Sequence, residues 1–278
     1  MHYIIKSGDL IYEKNVAARP YAVYLILSIL NKIPLHRMPS LFSTVLGEVF
    51  RLTRLKATFT ILDRTLRFYI HPSIHDFRYH GGMAHEPRIS EFFLRVAPNN
   101  SVLYDVGCAL GWYSILLAKR CTRIIGFDPY DASSSINVKL NGIKNFEIHQ
   151  SFLSDHESES AEVHTTTIDS IIGKGYPRPD ILKMDVEGEE YRVLRGAQNL
   201  FQEYPPQLVV IETHSEQLFY QCLEFLKQYA YEIHHLGCPK VNVGGDIYPL
   251  SYILDTNVFS TKSETRILFA IKRSKENL

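Results

Sequence analysis

Four stretches of this chain run through apolar residues and finish on a carboxylate: Val102-Leu103-Tyr104-Asp105, Ile124-Ile125-Gly126-Phe127-Asp128, Ile181-Leu182-Lys183-Met184-Asp185, and Leu208-Val209-Val210-Ile211-Glu212. The first continues as Val106-Gly107-Cys108-Ala109-Leu110-Gly111-Trp112, a strand that ends in an acid and passes through a glycine loop into a helix. Gly107 allows a sharp turn and close approach of backbone to a ligand, while Gly111 permits tight packing where the helix begins. A helix start adds unpaired amide donors and partial positive charge.

The glycine spacing separates two cofactor classes. A dinucleotide fingerprint places a second glycine two residues after the first, so that a pyrophosphate can approach; here that position is Ala109. An acid two residues before the first glycine would repel a pyrophosphate and suits an ammonium group, such as the amino acid end of S-adenosylmethionine. Asp128 follows roughly twenty residues later, where a strand-end acid can accept hydrogen bonds from both ribose hydroxyls. Asp155, in Phe152-Leu153-Ser154-Asp155, is either a contact to the adenine amino group or a solvated turn residue. Glu86, before Pro87, either closes the cofactor site from the N-terminal side or stands as a helix-start acid.

The acceptor chemistry is expected at the later strand ends. Asp185 and Glu187, in Asp185-Val186-Glu187-Gly188, would face the substrate side of the cofactor, and two acids this close need a compensating cation, donor or water. Glu212-Thr213-His214 arrives beside them if the two strands are neighbours. His214 can then take a proton from a substrate hydroxyl, or it has a structural role in helix capping or in bonding to a carboxylate. The same acids and His214 could instead hold a divalent metal, although none is expected.

Short apolar strands must hold these residues, alternating with helical stretches as in βαβ units on a parallel sheet. The pattern gives strands near residues 102–106, 123–128, 146–150, 181–185, 208–212, 231–236 and 266–272, with helices over 111–120, 132–141, 189–201 and 216–229. The expected fold is α/β, a doubly wound, mostly parallel seven-stranded sheet of Rossmann-like type. An N-terminal extension over 1–83 precedes the main domain of 84–278. Residues 1–57 read as helical, with apolar clusters at 21–30 and 41–52, and 58–70 read as a β-hairpin.

Composition bounds the function. With 278 residues and 45% apolar content the chain can fill a sizeable core. Thirty basic and thirty acidic residues leave no net charge, which speaks against a general nucleic-acid binder. Four scattered cysteines suggest neither a disulfide framework nor a zinc knuckle. The apolar run at 21–30 is about half the ~20 residues that cross a bilayer. A cytoplasmic protein is expected. Its N-terminal helices would form a lid, a homodimer interface or, less favoured, a membrane-surface contact.

Several blocks together resemble a known family: Tyr104-Asp105-Val106-Gly107 with Gly111-Trp112-Tyr113-Ser114; Thr167-Ile168-Asp169-Ser170; Asp180-Ile181-Leu182-Lys183-Met184-Asp185-Val186-Glu187-Gly188; Val193-Leu194-Arg195-Gly196-Ala197; and Ile211-Glu212-Thr213-His214. Over residues 86–236 the chain resembles the FkbM methyltransferases, although that family usually has Ala-Asn where Cys108-Ala109 stand. The resemblance implies a seven-stranded methyltransferase fold, S-adenosylmethionine as donor, and O-methylation of a hydroxyl on a sugar or other small metabolite. Two alternatives are a nicotinamide-dependent oxidoreductase, disfavoured by the glycine spacing, and a non-catalytic binding protein that keeps the fold.

Overall fold

The computed structural model describes residues 2–7, 10–16, 56–69, 87–130, 133–159, 164–236, 247–249 and 266–272. Glu86, the expected helices at 21–30 and 41–52, and the boundary at residue 83 lie outside the described residues.

The first elements correct the helical reading of residues 1–57. β1 (His2–Ser7) and β2 (Leu10–Val16) are antiparallel strands, with Ser7 opposite Leu10. In the sequence Gly8-Asp9 separates them, a pair that favours a two-residue hairpin connection. β3 (Lys56–Ile61) and β4 (Arg64–Tyr69) form the expected second hairpin, and together the strands make a sheet of order β1-β2-β3-β4.

Next come α1 (Pro87–Val96), β5 (Ser101–Val106), α2 (Trp112–Leu117), β6 (Cys121–Phe127), α3 (Ser134–Leu140) and β7 (Phe146–His149). A small sheet of β8 (Phe152–Leu153), β9 (Ser158–Glu159) and β10 (His164–Thr166) intervenes. The chain continues with α4 (Ile168–Gly173), β11 (Ile181–Met184), α5 (Glu190–Arg195), α6 (Gln198–Glu203), β12 (Leu208–Thr213), α7 (Glu216–Lys227), β13 (Tyr231–Leu236), β14 (Ile247–Pro249) and β15 (Arg266–Lys272).

The main sheet has the order β14-β13-β15-β12-β11-β5-β6-β7. β7, β6, β5, β11 and β12 run parallel, and β15 inserts antiparallel between β12 and β13. All seven expected strands are present, with the three-residue β14 added at one edge. Strand order reverses between β5 and β11, and an open α/β sheet binds its ligands beyond the carboxyl ends of the strands at such a point.

Both faces of the sheet are buried, and the strand residues alternate between two cores. Leu103, Ile124, Ile181, Val210 and Phe269 belong to one cluster; Tyr104, Ile125, Leu182, Val209 and Leu268 belong to the other. This period-two division of continuous apolar runs is what a sheet covered on both sides requires. The second cluster is roofed by α4 to α7, through Ile168, Val193, Phe201 and Phe219. The first includes Phe93 of α1, Trp112 and Tyr113 of α2, and Phe59 and Phe68 of the second hairpin. That hairpin therefore shares the core of the main sheet. Its backbone is tied to α3 and the residue after it: Tyr69 N–H donates to Asn137 Oδ1 and Arg67 N–H to Asn141 Oδ1.

Candidate active site

The loop after β5 is shaped by backbone that side chains resist. Gly107, Ala109 and Gly111 have φ of 73°, 43° and 77°, in the left-handed region that favours glycine. A Cβ on Gly107 would also sit 1.8 Å from the Asp185 carbonyl oxygen, so glycine is what lets the loop lie against the end of β11. At Gly111 the added atom would come 3.3 Å from Ser134 Cβ, which accords with a packing role at the start of α2.

Asp105 stands under this loop. Its Oδ2 accepts hydrogen bonds from the Ser114 N–H at 3.0 Å and the Ser114 hydroxyl at 2.6 Å. Oδ1 has no hydrogen-bond partner and lies 3.8 Å from Lys183 Nζ. With 1% exposure, this carboxylate braces the loop and the first turn of α2 from inside. Burial raises its pKa, while Lys183 and the two bonds from Ser114 oppose the rise.

Lys183 links two strand ends. Its ammonium lies 3.7 Å from Asp185 Oδ2, donates to the Gly107 carbonyl at 3.3 Å, and stands 5.2 Å from the centre of the Tyr113 ring. It is a compensating cation for Asp185, one of the two neighbouring acids. The sequence reading named this lysine without giving it a task, although a charge inside an otherwise apolar run was the available signal.

Asp128, at the end of β6, accepts from Ala109 N–H at 3.1 Å and Tyr130 N–H at 2.9 Å, one on each oxygen. It thereby ties the glycine loop to the neighbouring strand end. A carboxylate offers about four acceptor positions, so two remain. Beside it Tyr130 is 73% exposed and Phe152 39% exposed, their rings edge to face with centroids 5.9 Å apart. Neither aromatic was singled out from the sequence.

Asp155 is placed differently from the other acids. Its carboxylate lies 3.3 Å from Arg195 of α5 and 3.1 Å from the adjacent His156. The hydrogen bond with His156 lowers its pKa; burial opposes it, and the charges of Arg195 and Arg192 add to the lowering. One partner lies on each oxygen.

Asp185 and His214 meet at the rim. His214 Nε2 is 3.5 Å from Asp185 Oδ1, and Nδ1 is 2.6 Å from Oε1 of Glu190. Glu190 is fully buried and was read only as a helix residue, because an acid in a first helical turn has an ordinary explanation in the dipole. The hydrogen bond with Glu190 raises the His214 pKa; burial opposes it, and Glu190, Asp185 and Glu187 add to the rise electrostatically. Glu187 is exposed and adopts φ 45°, a strained conformation for a residue with a Cβ.

Asp185, Glu212 and His214 each bring one possible ligand atom within 4.8 Å of the others. The Lys183 ammonium, 3.7 Å from Asp185 Oδ2, is a cation beside this cluster.

Residues 105–233 match the sequence model of the methyltransferase FkbM domain. Among solved structures, the chain is similar to the methyltransferase FkbM from Methylobacillus flagellatus KT, at 17% identity and a TM-score of 0.50, over 69% of this chain and 49% of that one. It thus spans about half the length of that protein, and the likeness is one of fold. Weaker likenesses include the precorrin-6y C5,15-methyltransferase from Geobacter metallireducens GS-15 (12% identity, TM-score 0.43, 68% and 91% of the two chains). An rRNA methylase from Streptococcus thermophilus is another (11%, 0.46, 67% and 95%). No curated protein matches the sequence. The sheet order and the loop after β5 accord with the match of residues 105–233 to the methyltransferase FkbM domain.

Proposed function

We propose that the protein is an S-adenosylmethionine-dependent O-methyltransferase acting on a hydroxyl of a sugar or other small metabolite. The observation that carries this reading is the common rim: Asp105, Asp128 and Asp185 end neighbouring strands, and the Gly107 loop contacts both flanking strand ends, through Ala109 to Asp128 and through Lys183 and Asp185 on the other side.

The residues suit the cofactor. An orphaned buried oxygen on Asp105 leaves acceptor capacity beneath the glycine loop. Asp128 keeps spare acceptor positions for a ribose diol, and the exposed Tyr130 and Phe152 rings offer apolar contact area for a base. When bound, S-adenosylmethionine supplies a methyl group on a sulfonium, which passes to an acceptor oxygen while the electron pair of the broken bond stays on sulfur.

The chain's own part is to position, to exclude water and to move a proton. Because the donor is already activated, holding the acceptor in line accounts for much of the rate. His214 Nε2 stands at the rim, half-buried, and takes the hydroxyl proton in its neutral form. Asp185 and Glu187 orient the acceptor through its other hydroxyls. The neutral balance of charge on the chain accords with a small, uncharged acceptor. A cytoplasmic location is proposed on the cysteine content, and no helix among the described residues is long and apolar enough to cross a membrane.

The test is methyl transfer from isotopically labelled S-adenosylmethionine to a panel of glycosides and hydroxylated metabolites, with NMR locating the label. Label on an oxygen supports the reading. Label on nitrogen or carbon, or reduction of a nicotinamide cofactor in its place, contradicts it.

A further inference from the structure

Glu190 has no task in the transfer as described. An acid in the first turn of α5 is favoured by the helix dipole, but an exposed side chain would serve that purpose as well. Glu190 is instead fully buried, close enough to α7 that the Cys222 thiol, pushed up chiefly by its own burial, is pushed further by this carboxylate. Burying a carboxylate costs several kcal/mol unless partners compensate it. Its partners are few: Oε1 accepts the Gly188 N–H at 3.1 Å and lies 2.6 Å from His214 Nδ1, while Oε2 has no hydrogen-bond partner.

The histidine ring is thus gripped on one side only. Nε2 lies 3.5 Å from Asp185 Oδ1, beyond the roughly 2.7–3.2 Å of a hydrogen bond. A neutral imidazole carries one proton, so one nitrogen donates and the other accepts. Asp185 would draw that proton to Nε2, and the ring could then accept nothing from a substrate. The much shorter contact to Glu190 draws it to Nδ1.

We propose that Glu190 is a positioning residue: through Oε1 it holds the proton of neutral His214 on Nδ1, so that Nε2 is the nitrogen that accepts the proton of the substrate hydroxyl. This rests on the reading of the rim as a hydroxyl-acceptor site. The proton moves from the hydroxyl to Nε2 as the methyl group transfers, and afterwards passes to water at the exposed edge. The charged groups facing the ring are Glu190 from α5, Asp185 and Glu187 from the end of β11, and Glu212 two residues earlier on β12, with Lys183 behind Asp185.

The experiment is a long-range ¹H–¹⁵N correlation spectrum of the full ¹⁵N-labelled chain, at a pH where the ring is neutral, with His214 assigned by the signals that His214→Asn removes. The expected result is an Nδ1–H ring in the wild type and a majority Nε2–H ring in Glu190→Leu, where Asp185 is the remaining partner. An Nε2–H ring in the wild type, or an unchanged Nδ1–H ring in Glu190→Leu, overturns the proposal. If the variant does not fold, the wild-type tautomer decides by itself. Selective broadening of the His214 signals by added MnCl₂ also overturns it, because Nε2 would then be a metal ligand. Calorimetry with S-adenosylhomocysteine separates the two levels: absent binding strikes the methyl-transfer reading, whereas the wrong tautomer with intact binding strikes the role of Glu190 alone.

Discussion

Lys183 and Asp105 are register partners on adjacent parallel strands, their charged groups 3.8 Å apart where the strand order reverses. Both are buried, at 6% and 1% exposure, so each helps to compensate the other. Removing one partner of such a pair costs about 3–5 kcal/mol. Lys183→Met is therefore expected to lower the unfolding free energy by an amount in that range, measured in urea. The double variant Lys183→Met with Asp105→Asn should recover part of the loss.

The glycine loop gives a sharper contrast. Gly107→Ala meets both a left-handed backbone and the Asp185 carbonyl, and is expected to cost about 2 kcal/mol or more and to weaken cofactor binding. Gly142→Ala meets a similar φ of 68° with nothing within 4 Å, so about 1 kcal/mol is expected from the backbone alone. Equal losses in the two variants would contradict the close approach of the loop to β11.

How far the sequence reveals this arrangement depends on how well each residue fits a pattern. β5, β6, β11 and β12 were legible because each closes on an apolar run that leads to an acid, whereas which strand ends converge depended on the order of the strands in the sheet. β1 and β2 were not, because His2, Lys6, Glu13 and Lys14 blur the alternation in two short strands. The small sheet of β8 to β10 escaped because two- and three-residue strands have no period to detect. Asp185 and His214 were found from their place in the chain and do meet at the rim. Glu190 was hidden because its partner lies 24 residues away, and nothing in a helical pattern says which way a first-turn acid faces.

The raised pKa of His214 makes a pH prediction. A histidine whose folded pKa exceeds its ordinary value of 6.5 contributes stability that is fully present below that value and lost as pH rises through the folded pKa. The stability advantage of wild type over His214→Asn, from urea unfolding across pH 5.5 to 9 (~3.5 units, spanning both sides of an ordinary histidine), should shrink with rising pH. Methyl transfer should increase across the same window, since Nε2 accepts a proton only when neutral.

Trp112 is the single tryptophan of the chain and joins the second hairpin to the glycine loop it follows. Its ring stacks on Phe68 at 5.0 Å between centroids, meets Phe59 edge to face at 5.3 Å, and its indole N–H donates to Ser90 Oγ at 2.8 Å. Phe68→Ala should cost about 3–5 kcal/mol and shift the tryptophan emission to longer wavelength. Unchanged emission would mean that the hairpin does not cover the ring in solution.

The central claim is that the acids on neighbouring strand ends surround one adenosyl ligand, and isothermal titration with S-adenosylhomocysteine tests it most directly. The wild-type chain should bind, and Asp128→Ala should lose about 1.5–3 kcal/mol, roughly ten- to a hundredfold in affinity, as expected for hydrogen bonds to a charged group. Equal affinity in the two proteins, or no binding by either, would contradict the site.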